Sequence, residues 1–188
     1  MALSKIDPVS SIDLADTEYF HVDLTTAQTG LTDDTTVNVD FGGSGTVKYD
    51  TKSNFDSAND AYLLDSSDGV YLISYSVGVR SASLTTEAVL DTASMLRVAT
   101  DGSTFSPIQG AASHPQDENA NEIGSITLSG TFIYKATTAT TKIDLQVYMN
   151  TSAGVNWVIS DDVNDLQNGT PTGGGTARCT FLSIVRIA

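Results

Sequence analysis

The 188 residues contain a single cysteine, Cys179, so no disulfide can close within the chain and stability must come from packing. Cations are scarce as well. Nine Lys and Arg stand against 23 Asp and Glu, a formal charge of −14. That balance argues against a nucleic-acid binder, whose affinity rests on cationic side chains that displace counterions, and against docking on an anionic membrane. No apolar run reaches the length of a spanning helix, and Met1 to Asp16 holds no stretch of the kind an export signal needs, so signal-dependent export is not expected. Phosphate-binding loops, zinc-ligand spacings and dinucleotide fingerprints are all missing. The two histidines are isolated, His21 within a strand pattern and His114 in a polar stretch beside Pro115, while Cys179 alternates with Phe181 as a small core residue would. No enzyme is expected.

What is present reads as a packed β domain. Hydrophobic residues make up 40% of the chain and charged ones 17%, and a chain of this length can bury roughly 70% of its unfolded surface. The strongest strand signal is Val70 to Val79, where Tyr71, Ile73, Tyr75, Val77 and Val79 share one face and Ser74, Ser76 and Gly78 share the other. Gly69 precedes it as the permissive residue of a sharp entry. Val37, Val39 and Phe41 alternate before Gly42-Gly43-Ser44-Gly45, and Met95 to Ala99 ends at the hairpin signal Asp101-Gly102. Ile126, Leu128, Phe132 and Tyr134 share a face, as do Ile143, Leu145, Val147 and Met149. A short strand over Gly154 to Ile159 and a final strand over Ala177 to Ile187, joined by a Gly173-Gly174-Gly175 tip, complete an all-β pattern. Residues Ser83 to Ala93 read as an extended loop and Gly110 to Asn121 as a long exposed one. Residues 1–18 read as an N-terminal arm, with Ile6, Val9, Ile12 and Leu14 as its apolar anchors, and 19–188 as one domain.

Gly69, Tyr71, Ile73 and Tyr75, preceded by Asn54-Phe55-Asp56 and Tyr62, resemble the signature of the complement first-component-q globular head, within the wider group of tumour necrosis factor-like jelly rolls. Ile73 stands where that family usually has Phe, and the interval from Tyr62 to Gly69 is one residue longer than usual. The closing segment Thr180 to Ile187 is similar to the family's last strand, and Phe20 through Phe41 to its opening one. The resemblance implies a jelly-roll β-sandwich that assembles as a homotrimer.

The final strand supports self-association on its own terms. Phe181, Val185 and Ile187 alternate with Leu182 and Ile184, and Val70 and Leu72 lie opposite the Tyr71 and Ile73 face, so two apolar faces need covering. The expected trimer contacts are Tyr71, Ile73, Tyr75, Phe181 and Val185. No cofactor is expected. Calcium, which some members of the family bind, would find oxygen ligands only in the acidic loop at Asp161, Asp162 and Asp165, whose expected state is simply solvated. With an arm, no stalk and an acidic surface, the chain looks like a phage capsid decoration protein or head fibre, assembled in a host cytoplasm and seated on the virion surface against the major capsid protein. The alternative is a receptor- or glycan-binding knob of a tail or surface fibre, reading its target through Gly110 to Asn121 and Asp161 to Gly175.

Overall fold

The computed structural model describes residues 17–82, 90–113, 125–151, 154–168 and 177–188. Thirteen strands alternate with two short helices along the described residues: β1 (Tyr19–Leu24), β2 (Gln28–Leu31), β3 (Thr35–Asn38), α1 (Phe41–Ser44), β4 (Gly45–Asp50), β5 (Phe55–Asp56), β6 (Ala61–Leu63), β7 (Val70–Ser81), β8 (Leu90–Ala99), β9 (Ser106–Ser113), β10 (Ser125–Lys135), β11 (Lys142–Thr151), β12 (Trp157–Ser160), α2 (Val163–Asn168) and β13 (Phe181–Arg186). They form two antiparallel sheets. In the first the order is β2-β12-β7-β13-β1-β4, with β10 on the remaining edge of β7. In the second it is β5-β6-β11-β8-β9, with β3 also on β11.

The period-two patterns decide which side chains fill the space between the sheets. Tyr71, Ile73, Tyr75, Val77 and Val79 of β7 meet Ile143, Leu145, Val147 and Met149 of β11 in one continuous core, together with Phe20, Val22, Leu182 and Ile184. Phe20 stacks between Tyr62 and Phe55 at centroid distances of 4.4 and 5.2 Å. Two of the large buried aromatics find partners for their polar ends. The Trp157 Nε1–H donates to Thr32 O at 2.7 Å, and Ser94 Oγ donates to Tyr75 Oη at 3.1 Å.

Several sequence expectations need correcting. Phe20 to Phe41 is not one strand but β1, β2 and β3, and Phe41 opens the turn α1, where the Asp40 carboxylate accepts from Gly43 N at 2.7 Å. The glycines that follow end the strand pattern. Residues 110–113 of the expected exposed loop belong to β9, and the final strand starts at Phe181 rather than Ala177. Asp161 to Asp165 is not a solvated loop either, since it leads from β12 into α2 and Asp161, Asp162 and Asp165 are buried. The arm anchors Ile6, Val9, Ile12 and Leu14, and the Gly173 to Gly175 tip, lie outside the described residues.

Gly69 serves a different purpose from the turn freedom the sequence suggested. A Cβ there would stand 2.7 Å from the Tyr71 ring, and one on Gly130 of β10 would stand 2.8 Å from the Tyr75 ring. The two glycines make room for the two tyrosines. Gly130→Ala should therefore force the Tyr75 ring out of its place and cost about 1–3 kcal/mol, read as a lower urea midpoint at unchanged slope.

Glu18, assigned to the arm from sequence, belongs to the folded domain. Its side chain is fully buried, accepting from Tyr71 Oη at 2.8 Å and from Asp65 N at 2.9 Å. Burial raises its carboxyl above the ordinary value, against the lowering effect of those two donors. A folded state that holds this proton more tightly than the unfolded chain gains stability at low pH and loses it as pH rises through the raised value. Glu18→Gln should accordingly flatten part of the fall in melting temperature between about pH 5 and pH 7.5. Parallel profiles for the two proteins in a thermal scan would reject that assignment.

Candidate self-association face

The first sheet turns its second face away from the core, and strand register places the outward side chains in rows. Across β1, β13, β7 and β10 the pairs Tyr19↔Val185, Val185↔Leu72 and Leu72↔Ile133 align four large residues in one row. The next row runs Tyr49, His21, Ser183, Ser74 and Thr131, and the third Asp23, Phe181, Ser76 and Ser129. Ile133 is 62% exposed and Tyr49 58%, high values for side chains of this kind. Beyond the first row, Ile187 is exposed beside Val70, whose carbonyl accepts the Ile187 N–H at 2.7 Å.

Aromatic contacts stiffen this surface without covering it. Tyr19 and Tyr49 lie 5.1 Å apart between centroids, and His21 stacks on Phe181 at 5.7 Å. His21 Nε2 lies 2.9 Å from Asp23 Oδ1, an ion pair when the imidazole is protonated. Ser74 and Thr131 hydroxyls share a hydrogen bond of 3.2 Å. Among the outward residues of the three rows on β1, β13, β7 and β10, Asp23 is the one carboxylate. On a chain of net charge −14 this is a charge-depleted face, the composition that marks the centre of protein contacts.

The structure separates the expected contact residues into two groups. Phe181 and Val185 are half-buried on the outward face. Tyr71, Ile73 and Tyr75 are only 0–1% exposed within a single chain, so they have no surface to offer a neighbour. Alternation reveals that β7 has two faces but not which one points inward, and the reading placed the bulkier set on the wrong side. Tyr19, Tyr49 and Ile133 were not singled out. The signal for them was present in the off-phase positions of β1, β4 and β10, where Val47 and Tyr49 alternate with Lys48 and Ile133 lies between Phe132 and Tyr134.

Ser183 is paired in register with His21, yet no hydrogen bond joins their side chains among the described residues, so no nucleophile is set against a base. Cys179 is buried, donates its thiol to Ser160 O at 3.2 Å, and is pushed up to about 12 by burial. Asp161, Asp162 and Asp165 lie near one another at the end of β12. Among the described residues, no three His, Cys, Asp or Glu side chains are placed to hold a metal ion. His114 lies outside the described residues.

No family model matches the chain, and no curated protein matches its sequence. Its shape is similar to the Eiger TNF of S. frugiperda, with a TM-score of 0.52 and 11% identity over 92% of this chain and 93% of that one. Murine APRIL covers 91% of this chain and 99% of its own at 11% identity and a TM-score of 0.49. Two antiparallel sheets in this order, with the likeness to Eiger, make the fold a TNF-like jelly-roll β-sandwich.

Proposed function

We propose that this protein is a virion structural component, a homotrimer that decorates the outer surface of a phage capsid. The observation that carries the reading is the charge-depleted apolar row Tyr19, Val185, Leu72 and Ile133 on an otherwise strongly acidic chain. Copies of a −14 protein repel one another over most of their surfaces, and this face is where that repulsion is smallest and apolar burial greatest. Three such faces converging on one axis would cover the second side of the sheet.

Attachment to the shell is assigned to the N-terminal arm, with Ile6, Val9, Ile12 and Leu14 as anchors. The arm joins the domain at a well-held point. Thr51 Oγ1 donates to Thr17 O at 2.9 Å and accepts from Tyr19 N at 2.9 Å, so Thr17 and Tyr19 are tied to the end of β4. Sixteen residues ahead of Thr17 reach at most ~55 Å, enough to contact more than one capsid subunit. Three arms on one trimer would bind with the gain of effective concentration that linked contacts provide.

The self-association step is tested by mass in solution. The wild type should give three chains, and Ile133→Lys or Val185→Asp should give one chain with unchanged circular dichroism. A one-chain mass for the wild type at about 10 μM rejects assembly through this face. Attachment is tested by adding purified protein to particles that lack it. Rebinding should be lost when Met1 to Asp16 is deleted. Undiminished rebinding rejects the arm as tether, and binding to whole host cells in place of particles supports the receptor-binding knob.

A further inference from the structure

The middle row of the outward face holds an imidazole set against the one carboxylate of that face. His21 is paired in register with Tyr49 on β4 and with Ser183 on β13, so protein flanks it on both sides. Its Nε2 lies 2.9 Å from Asp23 Oδ1, and its ring stacks on Phe181 at 5.7 Å between centroids with 30° between planes. Within one chain the His21 and Asp23 side chains are already only 23% and 14% exposed. A further copy packed over the rows would cover most of what is left.

Few charges face this pair. Strand β1 adds Tyr19, and β4 brings Tyr49 opposite His21, Thr46 opposite Asp23, and Lys48 at the bulge between those pairings. Asp50, at the end of β4, is turned toward the Asn54 and Phe55 N–H groups, which it accepts at 3.1 and 3.0 Å. Strand β13 presents Phe181, Ser183 and Val185, none of them charged, and Arg186 falls on its opposite side by alternation. Farther along the rows β7 and β10 add only Ser74, Ser76, Ser129 and Thr131. Among the described residues no ion pair joins Lys48 to Asp23, whose one ionic partner is His21. A contact that closes over this face therefore strips water from an unbalanced carboxylate, which is costly, unless a counter-charge is supplied. A proton on His21 supplies it. Histidine is the side chain that changes charge between about pH 5 and 8, and its cation pairs with Asp23 while keeping the Phe181 ring against its face.

We propose, resting on the self-association reading above, that assembly through the outward face takes up a proton on His21 of each chain, so that the His21–Asp23 pair strengthens the contact as pH falls. In a closed oligomer the choice repeats in every copy. Uncompensated Asp23 carboxylates brought together on one side of the sheet would repel one another, whereas protonated pairs are neutral. The assembled form then binds protons that free chains release, so mass action favours assembly in acid. That advantage is lost as pH rises and the imidazole discharges.

Sedimentation of the full chain over a dilution series at about pH 6 and about pH 8 tests this. The concentration at half-assembly should be about tenfold or more lower in acid, and His21→Asn should remove the difference. Asp23→Asn should remove or reverse it, because the imidazolium then has no counter-charge to meet. His114→Asn, which changes the chain's other histidine, should leave it in place. Where dilution does not separate the chains, exchange between differently labelled oligomers gives the same reading and should be slower in acid. A wild type that assembles equally at both pH values while Val185→Asp stays a single chain overturns the proton uptake and leaves the contact face standing. So does a His21→Asn protein that keeps the difference, or a His114→Asn protein that loses it. A single-chain wild type at both pH values overturns the face and the proton uptake together. Should the His21 and Asp23 variants fail to fold, the wild type and His114→Asn decide.

Discussion

Strand β7 is the constraint on which the sandwich depends. It is twelve residues long and is hydrogen-bonded along both edges, to β10 over its whole first edge and to β13 and β12 in turn along the second. Its position is therefore fixed by three strands that are remote in sequence. Its inward residues must then fit a space whose walls cannot move, which is why two tyrosine rings are matched by glycines on the loop before β7 and on the neighbouring β10. A strand gripped this way cannot slip by one residue without turning the core face outward.

The same fixity creates the outward face. Once the inward side holds Tyr71, Ile73 and Tyr75, the residues between them must face out, and here they include Val70 and Leu72 rather than polar residues alone. Neighbouring strands repeat the choice at Tyr19, Val185 and Ile133. An antiparallel sheet can leave one face to water, and such a face normally carries the chain's charges. Here the three rows of outward residues on β1, β13, β7 and β10 hold a single carboxylate, Asp23. That local composition, more than any one exposed residue, is what the self-association reading rests on.

Much of the fold was legible because alternation is a property of sequence. The two alternating sets of β7, β10 and β11 follow directly from period two, and the hairpin at Asp101-Gly102 from turn chemistry, where the Asp101 carboxylate accepts from Ser103 N and Thr104 N. What could not be read was sidedness. Tyr71 and Leu72 are both apolar, so composition alone does not say which meets the core. Burial of charge was equally hidden, because Asp161 and Asp165 owe their positions to Arg178 and Arg80, 17 and 85 residues away. Their separation along the chain removes any local signal. Glu18 was hidden for the same reason, since its partner Tyr71 lies 53 residues on.

These hidden carboxylates share a placement that follows from the core itself. The middle of β7 is filled by apolar and aromatic side chains, with Tyr75 Oη paired to Ser94 Oγ, and the buried acids that touch the strand lie at its two ends, Glu18 against Tyr71 at one and Asp165 against Arg80 at the other. Each end is also where a separate segment joins the sheet. Glu18 precedes β1 directly, and its own carbonyl accepts Arg186 N of β13 at 2.9 Å, while the Asp161 cluster holds the chain just before β13 begins. Both junctions therefore act on the closing strand, one at each of its ends, and that strand contributes Phe181 and Val185 to the outward face.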